Sequence, residues 1–355
     1  MSEPAALPGL HGSPAAVAAA VLAHLQPRRM AMAAFLDGCG WGGAVPAPLA
    51  ADASFRAYWR LRQDDRRAVV MDAPPPREDV GAFVSVAAIL HGLGLSAPEI
   101  FAEDREQGFL LIEDFGDDSY SRALAGGADE PALYALAVDT LVALQQAVAA
   151  NGPAKLPPYD LTRLVDEAAL LVDWYLPAVS GRPLDPAVRE EYLALWRDLL
   201  PLATEPFAPT LVLRDYHIDN LMLLHDRAGV RRCGLLDFQD AVRGPPAYDL
   251  VSLVEDARRD VAPALREAMI ARWLAAFPAL DERTFRMSAA VLAAQRNSKI
   301  IGIFTRLWRR DGKPQYLGHI PRVWRLLEAD LREPALAPIA GWLDRHLPAA
   351  QRRMP

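Results

Sequence analysis

A chain of 355 residues exceeds one average domain and calls for one large or two medium folding units. At 52% hydrophobic and 23% charged residues it is neither disordered nor fibrous, and a formal charge of −7 gives no electrostatic basis for a nucleic-acid partner. Two cysteines, Cys39 and Cys233, are too few for a disulfide framework or a cysteine-based zinc site and suit a reducing cytoplasm.

In chain order, the Ala-rich run Ala15–Leu25 lacks the preceding basic residues of a secretory signal and is too short to span a bilayer. No other run reaches the length a membrane span needs. It is expected to form an amphipathic helix with Arg28 and Arg29 near its C-terminal end, where cations are favoured. From Val45 to Phe115 the pattern turns strand-rich. A first strand falls near Val45–Leu49. Tyr58–Gln63 and Ala68–Ala73 follow, separated by the polar turn Asp64-Asp65-Arg66, as in a hairpin. Three prolines, Pro74 to Pro76, break the chain. Val80, Phe83, Val84, Ala87 and Leu90 then recur at helical spacing within Glu78–Leu93, and Glu99–Glu103 and Phe109–Ile112 read as two more strands.

Beyond Gly116 long helices are expected at Glu130–Ala150, Leu161–Ala178 and Pro186–Leu200. A β-rich island at Thr210–Leu213, Leu221–Leu224 and Cys233–Phe238 precedes a helical remainder from Tyr248. The sum is an α+β chain of two lobes with a cleft between them: residues 1–115, a small β-rich lobe with an N-terminal helix, and residues 116–355, a mostly helical lobe with an embedded hairpin.

The segment Leu213-Arg214-Asp215-Tyr216-His217-Ile218-Asp219-Asn220 lies between two expected strands, and Leu235-Leu236-Asp237-Phe238 closes the next one. Phosphoryl transfer from ATP needs these residue types in this order. One carboxylate takes or orients the proton of the attacking hydroxyl; an amide oxygen and a second carboxylate hold the magnesium that bridges the phosphates. Asp215 is the candidate base, and Asn220, five positions on, and Asp237 are the candidate metal ligands. A lone Asp or Asn at a strand end is usually a turn former; the two motifs together, in order, favour the kinase reading.

Arg-Asp-Tyr-His-Ile-Asp-Asn resembles the catalytic loop of the aminoglycoside phosphotransferase and choline kinase superfamily, including the His two positions after the Asp. The block Leu235–Leu253 is similar as well. Its Gln239-Asp240-Ala241 and Tyr248-Asp249-Leu250, with Gln295–Lys299 and Gly302–Phe304, resemble the bacterial anomeric kinases of N-acetylmuramate and N-acetylglucosamine used in cell-wall recycling. The resemblance covers about Val45 to Leu347. It implies a two-lobed kinase-like fold, ATP with at most two magnesium ions, and the anomeric hydroxyl of an amino sugar as acceptor. It also implies Asp215 as base, Asn220 and Asp237 on the metal, and Glu113 and Phe115 at an adenine-binding hinge. Gln239 and Asp240 are expected on the acceptor's hydroxyls, Asp249 bracing the catalytic loop, and Arg296 or Lys299 against the acceptor.

Two departures stand out. Leu213 occupies the position where the family usually has a His. The small lobe has no lysine, so the usual phosphate-gripping Lys is absent. Arg56, in the turn Asp52–Arg56, is expected to supply that cation, with Arg60 as alternate. Basic residues from Gln295 to Arg325 outnumber the single acidic one, Asp311; such a wall opposes a polycationic aminoglycoside. A catalytically silent, nucleotide-binding pseudokinase is the remaining alternative, argued by the missing lysine and opposed by the intact Asp215, Asn220 and Asp237.

Overall fold

A computed structural model describes residues 14–49, 56–151 and 155–355. The chain divides into two units. One takes the residues through Val84 together with Pro98–Asp114; the other takes Ser85–Ala97 and Phe115 onward.

The first unit opens with helix α1 (Pro14–Gly38). The helix runs past Arg29, against expectation: Pro27 sits within it, and Arg28 is mid-helix rather than at a C-terminal end. Arg28 donates to Asp72 (Nε to Oδ1, 2.8 Å), and its guanidinium lies 3.8 Å from the centre of the Phe109 ring. This anchor ties the helix to a five-stranded antiparallel sheet of β1 (Ala47–Pro48), β2 (Ala57–Gln63), β3 (Arg66–Asp72), β4 (Ile100–Asp104) and β5 (Phe109–Ile112), in the order β1-β2-β3-β5-β4. Alternation decides the faces. Ala68, Val70, Phe109 and Leu111 bury one face with Met32, Leu36 and Trp41 from α1 and its exit, while Val69, Met71, Leu110 and Ile112 are buried on the other. Helix α2 (Val80–Gly92) follows β3, and the assignment to units changes within it, after Val84.

The second unit is mostly helical: α3 (Tyr120–Ala125), α4 (Glu130–Asn151), α5 (Leu161–Leu170), a π-helical turn Leu171–Tyr175, α6 (Leu176–Ser180) and α7 (Pro186–Thr204). Where the sequence pattern gives one helix from Leu161, the π turn interrupts it. That turn packs on the long helix of residues Glu282–Asp311, at whose Gly302 an added Cβ would lie 2.2 Å from the Leu170 carbonyl carbon. By length and composition α4 is apolar enough to cross a membrane, which the sequence reading missed. Yet Leu133, Tyr134, Ala137, Val138, Leu141 and Leu144 are buried within the unit, and Tyr216 donates its hydroxyl to Ala137 O (2.8 Å), as in a packed core helix.

Two small sheets follow: β6 (Thr210–Val212) with β9 (Val242–Gly244), and β7 (Leu221–Leu223) with β8 (Cys233–Leu235). Strand β9 was not expected from the sequence. Then come α8 (Ala247–Val254), α9 (Pro263–Ala275), α10 (Glu282–Asp311), α11 (Ile320–Asp330) and α12 (Ala337–His346). Helix α10 packs against α5, α7, α8 and α11. It buries Gln295, Arg296, Asn297, Ser298 and Lys299 side by side, a polar turn that an ordinary core helix would not carry.

Candidate active site

Strand register assembles the site. Pairing of Leu221 with Leu235 sets Asn220, just before β7, beside the end of β8, where Leu236 N donates to Asn220 O (3.0 Å) and Asp237 follows. Pairing of Val212 with Val242 brings the loop after β6, which carries Asp215, to the loop before β9. Asp215 N donates to Leu213 O (2.9 Å) across Arg214, whose φ is +72°; this is the strained hand of the γ-turn. Asp237 also has positive φ, +56°. Left-handed backbone costs an L-residue about 1–2 kcal/mol, so surrounding contacts must hold both.

Asp249 supplies them at the first position. It is buried at the start of α8 and accepts from Leu213 N (Oδ2, 2.6 Å) and Arg214 N (Oδ1, 2.9 Å). Burial pushes its carboxyl up to about 7, against the two N–H bonds, which favour the charge. At the second, Asn220 donates from Nδ2 to Asp215 O (3.0 Å) and to Asp237 Oδ2 (3.5 Å), and Gln239 Nε2 donates to Asp237 Oδ1 (2.7 Å). One carboxylate and one amide oxygen are the hard donors that magnesium takes, with phosphate oxygens and water completing its shell. The residue types suit that ion, with the Nδ2 of Asn220 rather than its oxygen turned toward Asp237. Among the described residues no group of three or more His, Cys, Asp and Glu is placed to hold a metal by itself.

His217 is buried between the two halves of the loop. Its Nε2 lies 3.3 Å from Arg258 Nη1, which can only donate, so Nε2 accepts and the ring is neutral with its proton on Nδ1. Burial and then the Arg258 charge hold its basicity down, consistent with that state.

Beside Asp215 a cavity opens within the second unit, lined by Arg214, His217, Arg258, Arg296 and Lys299 among others. Lys299 Nζ is 3.0 Å from Glu167 Oε2, and Arg214 pairs with Glu167 Oε1. Tyr159 donates its hydroxyl to the same carboxylate. Burial opposes Glu167's charge, but the two cations outweigh it and hold the carboxyl below its usual range. A wider groove elsewhere, lined by Trp41, Arg66 and Phe101, carries no carboxylate.

Asp215, Asn220 and Asp237 are thus brought together, and Arg296 and Lys299 both line the cavity next to Asp215. Gln239 does not line it; its amide is spent on Asp237, because the turn between β8 and β9 folds it back toward the metal-side carboxylate. Asp240 is exposed and also lies outside the lining. In the first unit, Arg56 is 3.7 Å from Glu78, while the rest of its turn, residues 52–55, lies outside the described residues. Arg60 is held by Asp114 through Nε (2.8 Å) and Nη2 (2.9 Å). The N–H of Glu113, a residue expected at the adenine-binding hinge, donates to Glu99 O (2.8 Å). Phe115 packs over Gly234, where a Cβ would sit 2.9 Å from its ring, and so braces the β7–β8 hairpin. Trp324 and Trp342 are buried in the core, while Trp308 is half-buried.

Sequence reasoning missed Glu167 and Arg258. The signal for Glu167 was an acidic residue amid Leu164, Val165, Ala168 and Ala169, the buried face of α5; for Arg258 there was none.

Fold and site together define a kinase-like phosphotransferase. Residues 46–284 match the model of the phosphotransferase enzyme family, and the chain belongs to it. It is 38% identical to the N-acetylmuramate/N-acetylglucosamine kinase of Caulobacter vibrioides, over 92% of this chain and 98% of that one. It is 40% identical to the enzyme of the same name from Pseudomonas aeruginosa, over 87% and 94%. Among solved structures, the fold is similar to a choline kinase from Streptococcus pneumoniae (TM-score 0.55, 13% identity, 78% of this chain and 89% of that one). It is also similar to an ADP-bound aminoglycoside phosphotransferase (TM-score 0.51, 15% identity, 80% and 92%).

Proposed function

We propose that this protein transfers the γ-phosphoryl group of ATP to the anomeric hydroxyl of N-acetylmuramate and N-acetylglucosamine, acting in the cytoplasm in cell-wall recycling. The observation that carries this reading is the placement of Asp215, Asn220 and Asp237 on one loop and hairpin beside a cation-lined cavity. The near full-length identity to kinases of those two sugars supports it. Asp215 would accept the proton of the anomeric hydroxyl. Magnesium, held by Asn220 and Asp237, would neutralise charge on the phosphates. The chain's own contribution is positioning: Asp249 fixes the strained backbone before Asp215, and Asn220 ties that loop to Asp237. Arg56 would meet the triphosphate, and Glu113 and Phe115 would flank the adenine. Arg296 and Lys299 would form the acceptor side, with Gln239 and Asp240 nearer the metal-side turn.

An aminoglycoside acceptor is disfavoured, since four cations line the cavity and Asp215 is its one carboxylate. The test is an ATP-consumption screen of purified protein with the two amino sugars, glucose and kanamycin. Turnover with the amino sugars and none with kanamycin supports the proposal; preference for kanamycin refutes it.

A further inference from the structure

The four cations of the acceptor cavity are not equivalent. One carboxylate, Glu167, serves two of them, Arg214 and Lys299, so both are already paired when the cavity is empty. Arg296 differs. It is 5% exposed, and its one hydrogen bond among the described residues is to a neutral carbonyl, Glu255 O (Nη1, 3.2 Å). A buried guanidinium has five donors and carries a heavy desolvation cost unless an anion meets it. Arg258 lines the same cavity. Its nearest carboxylate, Asp219, is 3.7 Å away, and its Nη1 points to His217, a neutral acceptor.

Arg258 is also held in place. Its backbone N–H donates to Asp256 Oδ1 (2.8 Å), and its carbonyl accepts from Arg322 Nη1 (3.0 Å), whose own guanidinium is fixed by both oxygens of Asp260 (2.9 and 3.0 Å). The loop after α8 therefore presents one arginine, and α10 a second, to the same cavity as Asp215. No carboxylate in the lining other than Asp215 competes for them.

We infer that Arg258 and Arg296 form a seat for a carboxylate borne by the acceptor, and that Lys299 is a positioning residue. The inference rests on the amino-sugar kinase reading and deepens it: the carboxylate is the lactyl group that N-acetylmuramate has and N-acetylglucosamine lacks. Two planar guanidiniums match a carboxylate's paired oxygens better than an ammonium does.

The test compares kcat/KM for N-acetylmuramate, its methyl ester and N-acetylglucosamine in the wild type, Arg258→Ala, Arg296→Gln and Lys299→Met. Loss of one charge-assisted bond predicts a drop of about ten-fold or more for N-acetylmuramate in either arginine variant. The ester and N-acetylglucosamine should change by less than about three-fold. Lys299→Met should lower all three in proportion. If Arg296→Gln does not fold, the part-exposed Arg258→Ala decides alone. Proportional losses for all three sugars in Arg258→Ala, or a raised KM for ATP with no sugar discrimination, overturn the seat and leave the kinase reading standing. A wild type that phosphorylates neither sugar overturns both.

Discussion

Replacing Glu167 by glutamine keeps the side chain's shape and removes its charge, leaving Lys299 and Arg214 in the cavity wall with no carboxylate between them. Breaking a buried pair by deleting one partner costs about 3–5 kcal/mol. Here the three side chains keep 11–12% exposure, so the lower end applies, about 3 kcal/mol. The double variant Glu167→Gln/Lys299→Met removes one stranded cation and should recover about 1–2 kcal/mol in a double-mutant cycle. Because two units can unfold separately, native-state hydrogen exchange of the α5 and α10 amides is the suitable assay. The pH dependence has a definite sign. Glu167 is held below the ordinary 4.5, so its contribution is full above that pH and is lost as pH falls through the lowered value. The Glu167→Gln substitution should remove that acid-side loss, since the amide does not titrate. Unchanged α10 protection at neutral pH, with the acid-side loss intact, would refute the role given to Glu167.

Asp215→Asn should lower kcat by orders of magnitude with ATP affinity nearly unchanged, whereas Asp237→Asn should abolish magnesium-dependent nucleotide binding; calorimetry and steady-state kinetics separate the two. Arg56→Ala should raise KM for ATP and weaken triphosphate more than adenosine, and equal affinities in calorimetry would remove Arg56 from the phosphate site. Asp249 is raised from 3.8 to about 7, so its protonation favours the folded state below pH 4 and that stabilisation is lost as pH rises to about 7. Asp249→Asn should flatten the fall in stability between those limits, which denaturant titrations at pH 4, 5.5 and 7 would show.

Much of the catalytic half was legible because its chemistry is local in sequence. Asp215 and Asn220 share one loop, Asp237 closes the next hairpin, and strand periodicity put Phe109–Ile112 where the structure has it. The family resemblance implied Asp249 as a brace of the catalytic loop, and its two bonds to Leu213 and Arg214 fit that reading. What periodicity could not carry was contact across the fold. Glu167 reaches Arg214 over 47 residues, and Arg258 reaches His217 over 41. Strand β9 was hidden because Val242-Arg243-Gly244 is too short for an alternating pattern and exists only by pairing with β6. Basic residues on α10 were visible as a charge bias, but only packing shows that Lys299 is already paired while Arg296 is not.

The most direct measurement is where the phosphate goes. Purified protein is incubated with ATP, magnesium and N-acetylmuramate or N-acetylglucosamine, and the product is examined by phosphorus-coupled proton NMR. The account predicts that phosphorus couples to the anomeric proton, that the phosphate is acid-labile, and that Asp215→Asn gives no detectable product. Phosphate on a non-anomeric hydroxyl, or product formed by Asp215→Asn at the wild-type rate, would contradict it.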